Sequence, residues 1–221
     1  MGMIVALIIS LVLCFLAIAS VPYLYYGFNI LRLKPLNTQT EYIYPEISIV
    51  INAYKEGARL HKRLINLLET TYPKNKLNVY VVNDGADEET EKYARMDYGI
   101  PINVFSPSCR FGKNICINKM LDMVHTEIVV FTDADVINDK NTLAELIAPF
   151  KDKNVGAVTG DVVVCGDFNF TTDNESAYRS VYGKMCEVDN GSVINFNGQI
   201  MACRRGAVFD INEHGADDAN M

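Results

Sequence analysis

The sequence predicts an α/β domain with a mostly parallel sheet and helices on both faces, preceded by one N-terminal transmembrane helix. Three observations carry this reading. Short apolar runs rich in Ile and Val alternate four times with segments of helical period. Two of those runs lead directly into aspartates, as strands of an open parallel sheet do at their ligand-binding edge. From Met3 to Val21 there is no charged residue.

That first stretch is dominated by Ile, Leu, Val and Ala, and roughly 20 apolar residues span a bilayer core. Pro22 and the tyrosines Tyr23, Tyr25 and Tyr26 follow and suit an interfacial aromatic belt. Arg32 and Lys34 come next, with no basic residue upstream, so the positive-inside rule places the bulk of the chain in the cytosol. A cleaved signal peptide ending at Ala17-Ile18-Ala19 is the competing reading, but it lacks a basic n-region and its apolar run is long. The expected organisation is an anchor with its belt over residues 3–26, a juxtamembrane linker over 27–45, and one catalytic-type domain over 46–221.

Within that domain, Glu46 to Ile51 reads as the first strand, entering from Pro45 and ending at Asn52-Ala53. Leu60, Leu64, Leu67 and Leu68 recur at helical spacing, and Tyr72-Pro73 stops that helix. Leu77 to Val82 is a second strand, running into Asn83-Asp84-Gly85-Ala86-Asp87. Glu88 to Tyr98 reads as a polar helix ended by Gly99-Ile100-Pro101, and Ile102 to Phe105 as a third strand. A helix from Lys113 to Val124 feeds the central strand at Ile128-Val129-Val130-Phe131. Helix Asn141 to Phe150 and strand Val155 to Val164 complete the repeat.

Composition narrows the function classes. The chain has 221 residues, 49% of them hydrophobic, which is enough for one substantial domain. A net charge of −7 argues against a nucleic-acid binder, which normally shows a basic face. The six cysteines form no C-x-x-C pair, and the three histidines have no ligand-type spacing, so a metal here would be held by oxygen. Reduced cytosolic thiols are the simpler assumption.

The central strand ends in Asp133-Ala134-Asp135. Two carboxylates one residue apart, on a chain leaving a strand, can both turn toward one hard cation. Mg²⁺ and Mn²⁺ take such ligands and keep positions open for phosphate oxygens. Taken alone, the pair reads equally well as an acidic turn that caps the next helix. Asp84 leaves the second strand at the same edge; in isolation its Asp-Gly turn would be turn chemistry only. Placement on one edge is what joins these acids.

In that order, Ile47 to Glu56, Val79 to Gly85, Lys113 with Asn118, and Phe131 to Val136 resemble the family 2 glycosyltransferases, inverting enzymes of the GT-A fold that use nucleotide-diphospho-sugars. The likeness runs from about Pro45 to the last residue. Gly156 to Val162 resembles the strand after the family's metal-binding motif. Gly198 to Arg205, then Ala216-Asp217-Asp218, resembles the acceptor-side segment and Glu-Asp motif of membrane-bound polysaccharide synthases such as those of hyaluronan, cellulose and poly-N-acetylglucosamine.

Carried over residue by residue, the resemblance implies that Ala53, Tyr54 and Glu56 border the nucleotide's base and ribose, and that Asp84 accepts a hydrogen bond from the base. Lys113 would sit near the donor's phosphates. Asp133 and Asp135 would address the sugar nucleotide and its Mg²⁺ or Mn²⁺, with Asp135 the more direct ligand. Asp218 would be the general base, with Asp217 as the alternative, and Asp161 would lie near the donor sugar or acceptor. Gly198, Gln199 and Arg204 would border the acceptor, although a solvated basic turn describes Arg204-Arg205 equally well. Such a base contributes ~10²–10⁴ in rate.

Some positions depart from the family. Asn52 stands where a Pro is usual, Lys55 where an Asn is usual, and Asn83 where a further Asp is common. The polysaccharide synthases continue past the acidic pair into a Gln-x-x-Arg-Trp segment and further membrane helices, whereas this sequence has no Trp and ends at Met221. The expectation is therefore a fragment of a longer synthase, a chain completed by a second polypeptide, or a truncated product.

The leading expectation is a membrane-anchored, cytosol-facing glycosyltransferase moving a sugar from a nucleotide-sugar, UDP-linked by preference, to a glycan or lipid-linked acceptor. A polyprenyl-phosphate acceptor is the variant within that class. An inactive nucleotide-sugar-binding module or partner subunit is the alternative of another class. A nucleotidyltransferase would show a Gly-rich basic phosphate loop after the first strand, and Asn52 to Gly57 is not one.

Overall fold

A computed structural model of the chain describes residues 2–32, 41–160 and 198–207. The chain divides into two units, one of which contains the N-terminal helix and the other the sheet.

Helix α1 spans Gly2–Ile30. Pro22 lies inside it and removes one backbone donor without ending it. Its large apolar side chains are exposed around the whole circumference, and Ile4–Ile30 is long and apolar enough to cross a membrane. The helix continues four residues into the stretch read as linker. It closes where the Leu31 and Arg32 amides donate to the Gly27 and Asn29 carbonyls.

The second unit is built on a sheet of six strands: β1 (Ile47–Ala53), β2 (Leu77–Asn83), β3 (Ile102–Phe105), β4 (Ile128–Asp133), β5 (Ala157–Thr159) and β6 (Ile200–Arg204). Their order is β3-β2-β1-β4-β6-β5. The first four are mutually parallel; β6 runs antiparallel to both β4 and β5. Asn52 pairs with Val82 on one side and Asp133 on the other, so three carboxyl ends finish level. Sequence reasoning did not find β6. Its apolar run, Ile200-Met201-Ala202-Cys203, is short, contains only one β-branched residue and abuts two arginines. Of the predicted last strand, Ala157–Thr159 is formed; the portion from Asp161 onward lies outside the described residues.

Alternation along each strand sorts the core into two layers. Ile47, Ile49 and Ile51 of β1, Val79 and Val81 of β2, and Ile128 and Val130 of β4 share one layer with Leu60, Leu64 and Leu67 of α2 (Gly57–Leu68). Leu143, Leu146 and Ile147 of α5 (Thr142–Ile147) join them. Val50, Val82, Val129 and Phe131 face the other way, onto Cys116, Ile117 and Met120 of α4 (Lys113–Met123). Helices thus cover both faces, as the continuous apolar strands require.

Two helices are shorter than predicted. Helix α3 (Glu88–Ala94) stops short of Tyr98, because Tyr98 turns back to donate its hydroxyl to the Tyr93 carbonyl and Gly99 takes a positive φ of 70°. Helix α5 gives way at Ala148 to a 3-10 turn containing Pro149, which cannot supply the next helical donor. Next to the sheet edge, Gly160 donates its amide to Ile200, and a Cβ there would lie 2.6 Å from Ile200 Cγ2. Only glycine fits that approach.

Candidate active site

Beyond the carboxyl ends of β1, β2 and β4 lies an open pocket of about 300 Å³. Most of its walls are set by strand ends or by the turns that follow them. Strand β1 contributes Asn52 and Ala53, and its loop contributes Tyr54 and Glu56; Asp84 follows β2, while Asp133 closes β4 with Ala134 and Asp135 just beyond. The loop before α4 contributes Arg110, the first residue of α4 is Lys113, and Cys116 sits one turn along that helix. The sequence-derived set Ala53, Tyr54, Glu56, Asp84, Lys113, Asp133 and Asp135 is therefore brought together.

The turn after β2 is heavily braced. The Asp84 amide donates to the Ala53 carbonyl, tying two strand ends. Asp84 Oδ1 accepts from the Phe111 amide at 2.7 Å and Oδ2 from the Gly112 amide at 3.0 Å. This buried carboxylate thus clamps the loop that presents Arg110 and Lys113; the sequence had assigned it to the base alone. Gly112 has φ of 93°, a backbone state open to glycine. Asn83, where the family favours Asp, donates to the Asp87 carbonyl and to Glu91, and accepts from the Asp87 amide. A carboxylate at 83 would face Glu91 with like charge and lose both donations.

Charge in the pocket is mixed. Lys113 Nζ donates to Asp133 Oδ1 at 2.9 Å, each side chain about one-third exposed. The Arg110 guanidinium stacks over the Tyr54 ring at 4.2 Å and has no hydrogen bond or ion pair among the described residues. Glu56 titrates above the usual carboxylate range, because burial penalises its charge and Asp135 and Asp133 repel it, against a weaker pull from Arg59. Its amide donates to Thr90 Oγ1, which donates in turn to Asp87, the N-cap of α3 (Glu88–Ala94). The Cys116 thiol is pushed up to about 12 by burial and by Asp84, so it is a neutral wall.

No group of three His, Cys, Asp or Glu among the described residues is placed to enclose a metal ion. The donor set nonetheless fits one kind of ion. Asp133 and Asp135 are hard oxygen donors on the rim of an open pocket, and their field already disfavours charge on Glu56. A cation held by one or two carboxylates and completed by a substrate's phosphate oxygens suits that arrangement.

Other expected residues fall differently. The Gln199 carbonyl accepts from the Asp133 amide at 3.2 Å, which places Gln199, and Gly198 next to it, beside the carboxyl end of β4. Arg204 does not join the site. Because β6 is antiparallel, Arg204 pairs with Ile128, at the opposite end of β4 from Asp133. There its guanidinium donates to the carbonyls of Phe150, Asp152 and Val155 and pairs with Glu127. Its expected acceptor contact is corrected to a structural one. Asp161, Asp217 and Asp218 lie outside the described residues. Sequence reasoning missed Arg110 and the pocket-lining role of Asn52.

Known proteins share this architecture. A mannosyltransferase from Pyrobaculum calidifontis, PcManGT, solved in complex with GDP-Man and Mn²⁺, superposes with a TM-score of 0.72 at 25% identity, covering 92% of this chain and 60% of that one. The beta-monoglucosyldiacylglycerol synthase of Trichormus variabilis is 25% identical over 142 residues, 62% of this chain and 30% of that protein. The probable glycosyltransferase YdaM of Bacillus subtilis is 26% identical over 125 residues, 52% of this chain and 29% of that protein. This chain therefore spans about a third of the length of those curated relatives. The model of the family described as Glycosyl transferase family 2 matches residues 48–210, most of the chain, and the chain belongs to that family.

Proposed function

We propose that this chain binds a nucleoside-diphospho-sugar at the carboxyl edge of its sheet and serves transfer of the sugar, with inversion, to a glycan or lipid-linked acceptor at a membrane's cytosolic face. One observation carries the reading: a single pocket gathers Asp133, Asp135 and Glu56, the cations Arg110 and Lys113, and the aromatic face of Tyr54. A sugar nucleotide needs all three kinds of group. Its base and ribose need a flat apolar wall, its diphosphate needs cations, and a bound divalent ion needs carboxylates.

In this reading Tyr54 and Ala53 border the nucleoside, and Asp84 keeps the Arg110–Lys113 loop in place while retaining lone pairs for the base. Asp135 and Asp133 would hold Mg²⁺ or Mn²⁺, which supplies Lewis-acid charge against the departing diphosphate. Arg110 and Lys113 add fixed positive charge where the leaving group develops its negative charge. Asp218, or Asp217 beside it, takes the proton from the attacking acceptor hydroxyl, and Asp161 borders the sugar or acceptor. Gly198 and Gln199 flank the acceptor side of Asp133. UDP is the favoured nucleotide, with GDP the direct competitor because PcManGT holds GDP-Man.

Helix α1 supports an anchored enzyme, with Arg32 and Lys34 on the cytosolic side, and a lipid-linked acceptor or a polysaccharide-synthase role follows naturally from that placement. The test is calorimetric titration of UDP and GDP into the full chain, with and without Mn²⁺. Metal-dependent binding of one of them is expected; binding of neither under any metal condition refutes the donor site.

A further inference from the structure

The salt bridge in the pocket is not a permanent strut. Lys113 and Asp133 are each about one-third exposed, which is the class of ion pair that holds weakly. Lysine carries its charge on a flexible four-carbon stem with three rotatable donors, so it can change partner without moving the helix that bears it. Asp133 is held independently of Lys113, through its amide bond to the Gln199 carbonyl.

The surroundings are incomplete in the same place. Asn52 pairs in register with Asp133, and alternation along the two strands sends both side chains to the α4 face. The Asn52 amide is buried, yet neither its Nδ2 nor its Oδ1 has a hydrogen-bond partner among the described residues. A buried amide without partners is costly. Three carboxylates share the rim, and burial together with Asp135 and Asp133 disfavours charge on Glu56.

We propose that Lys113 is an exchangeable stand-in for the metal: it neutralises Asp133 until a divalent cation binds, yields that carboxylate to the cation, and turns to the nucleotide's diphosphate. The proposal rests on the donor-site reading above and adds an order to it. Metal and lysine compete for one carboxylate while the site is empty, and cooperate once a diphosphate is present to receive the lysine. Lys113 is on this account a positioning residue in the first state and a binding residue in the second.

The test separates those two states. Mn²⁺ is titrated into the full chain in detergent, and into Lys113→Met, Lys113→Arg and Asp133→Asn, first without nucleotide. UDP and GDP are then titrated at saturating Mn²⁺. Removal of a weakly held competitor predicts that Lys113→Met binds Mn²⁺ alone about two- to fivefold more tightly than the parent chain. Lys113→Arg, which keeps the charge, should stay near the parent, and Asp133→Asn should bind Mn²⁺ at least about tenfold more weakly. With Mn²⁺ saturating, Lys113→Met should bind the nucleoside diphosphate about tenfold more weakly, the loss expected for one charged contact. Mn²⁺ affinity of Lys113→Met equal to or below the parent overturns the exchange, as does absence of Mn²⁺ binding by every chain. If the parent takes Mn²⁺ but neither nucleotide, the donor-site reading fails while the Lys113→Met comparison still decides the competition.

Discussion

Arg110 and Arg204 stand near opposite ends of the same sheet and are used in opposite ways. Arg204 spends its guanidinium on three backbone carbonyls and one glutamate, fastening the 3-10 turn after α5 (Ala148–Lys151) to the β5–β6 edge. Arg110 rests on the face of Tyr54 with no hydrogen bond among the described residues. A satisfied cation is part of the scaffold; one left with open donors at the carboxyl edge is available to an anion. The same contrast divides the acids. Asp87 is fully engaged in capping α3, while Asp135 is exposed on the pocket rim.

Breaking that contrast in turn should give effects of decreasing size. Asp135→Ala is expected to weaken metal-dependent nucleotide binding by at least about a hundredfold, near 2.7 kcal/mol, with little change in unfolding, since the side chain is exposed. Calorimetry and thermal melting together read the two quantities. Arg204→Ala should do the reverse. Three carbonyls lose a charged donor, so denaturant unfolding should report about 2–3 kcal/mol less stability at unchanged nucleotide affinity. A loss of affinity with stability intact would instead bring Arg204 back to the site.

Arg110→Ala should cost about tenfold in nucleotide affinity, close to 1.4 kcal/mol, and leave stability within about 0.5 kcal/mol. The smallest effect is expected from Asp87→Ala. Losing the N-cap bond to Thr90 should lower stability by about 1 kcal/mol. That deficit carries a pH signature. Hydrogen bonds from the Thr90 amide and hydroxyl hold the Asp87 carboxyl below its ordinary range, so its contribution is present above the unfolded value near 3.8 and is lost as pH falls through the lower folded one. The gap between parent and variant should be constant near neutrality and narrow only in strong acid.

How much of this was legible in the sequence depends on what kind of position each residue holds. Asp84, Asp133 and Asp135 were readable because strand ends are visible as breaks in apolar runs, and parallel strands bring their ends to one edge. Lys113 was readable through its motif. Arg110 was not, because nothing periodic marks its loop. It reaches the pocket only because Asp84 fastens the two amides that follow it. Arg204 was misplaced for a directional reason. A basic pair after an apolar run does not reveal which way that run lies in the sheet, and the antiparallel sense of β6 moves its end to the far edge. Asp84 itself was half legible: its position was evident, but its work as a clamp depends on a contact across more than twenty-five residues.

The strand order also bears on how the domain comes off the ribosome. Strand β6 is inserted between β4 and β5, so the outer edge of β4 has no partner until residue 200 has been made. At roughly 5–20 residues per second, that leaves a mostly apolar central strand with one open edge for several seconds after its own synthesis. Such an edge is a template for pairing with the wrong chain. The last amide of β4, that of Asp133, is also the one that closes onto Gln199. Asp133 is thus among the last of the pocket residues to be pinned during synthesis.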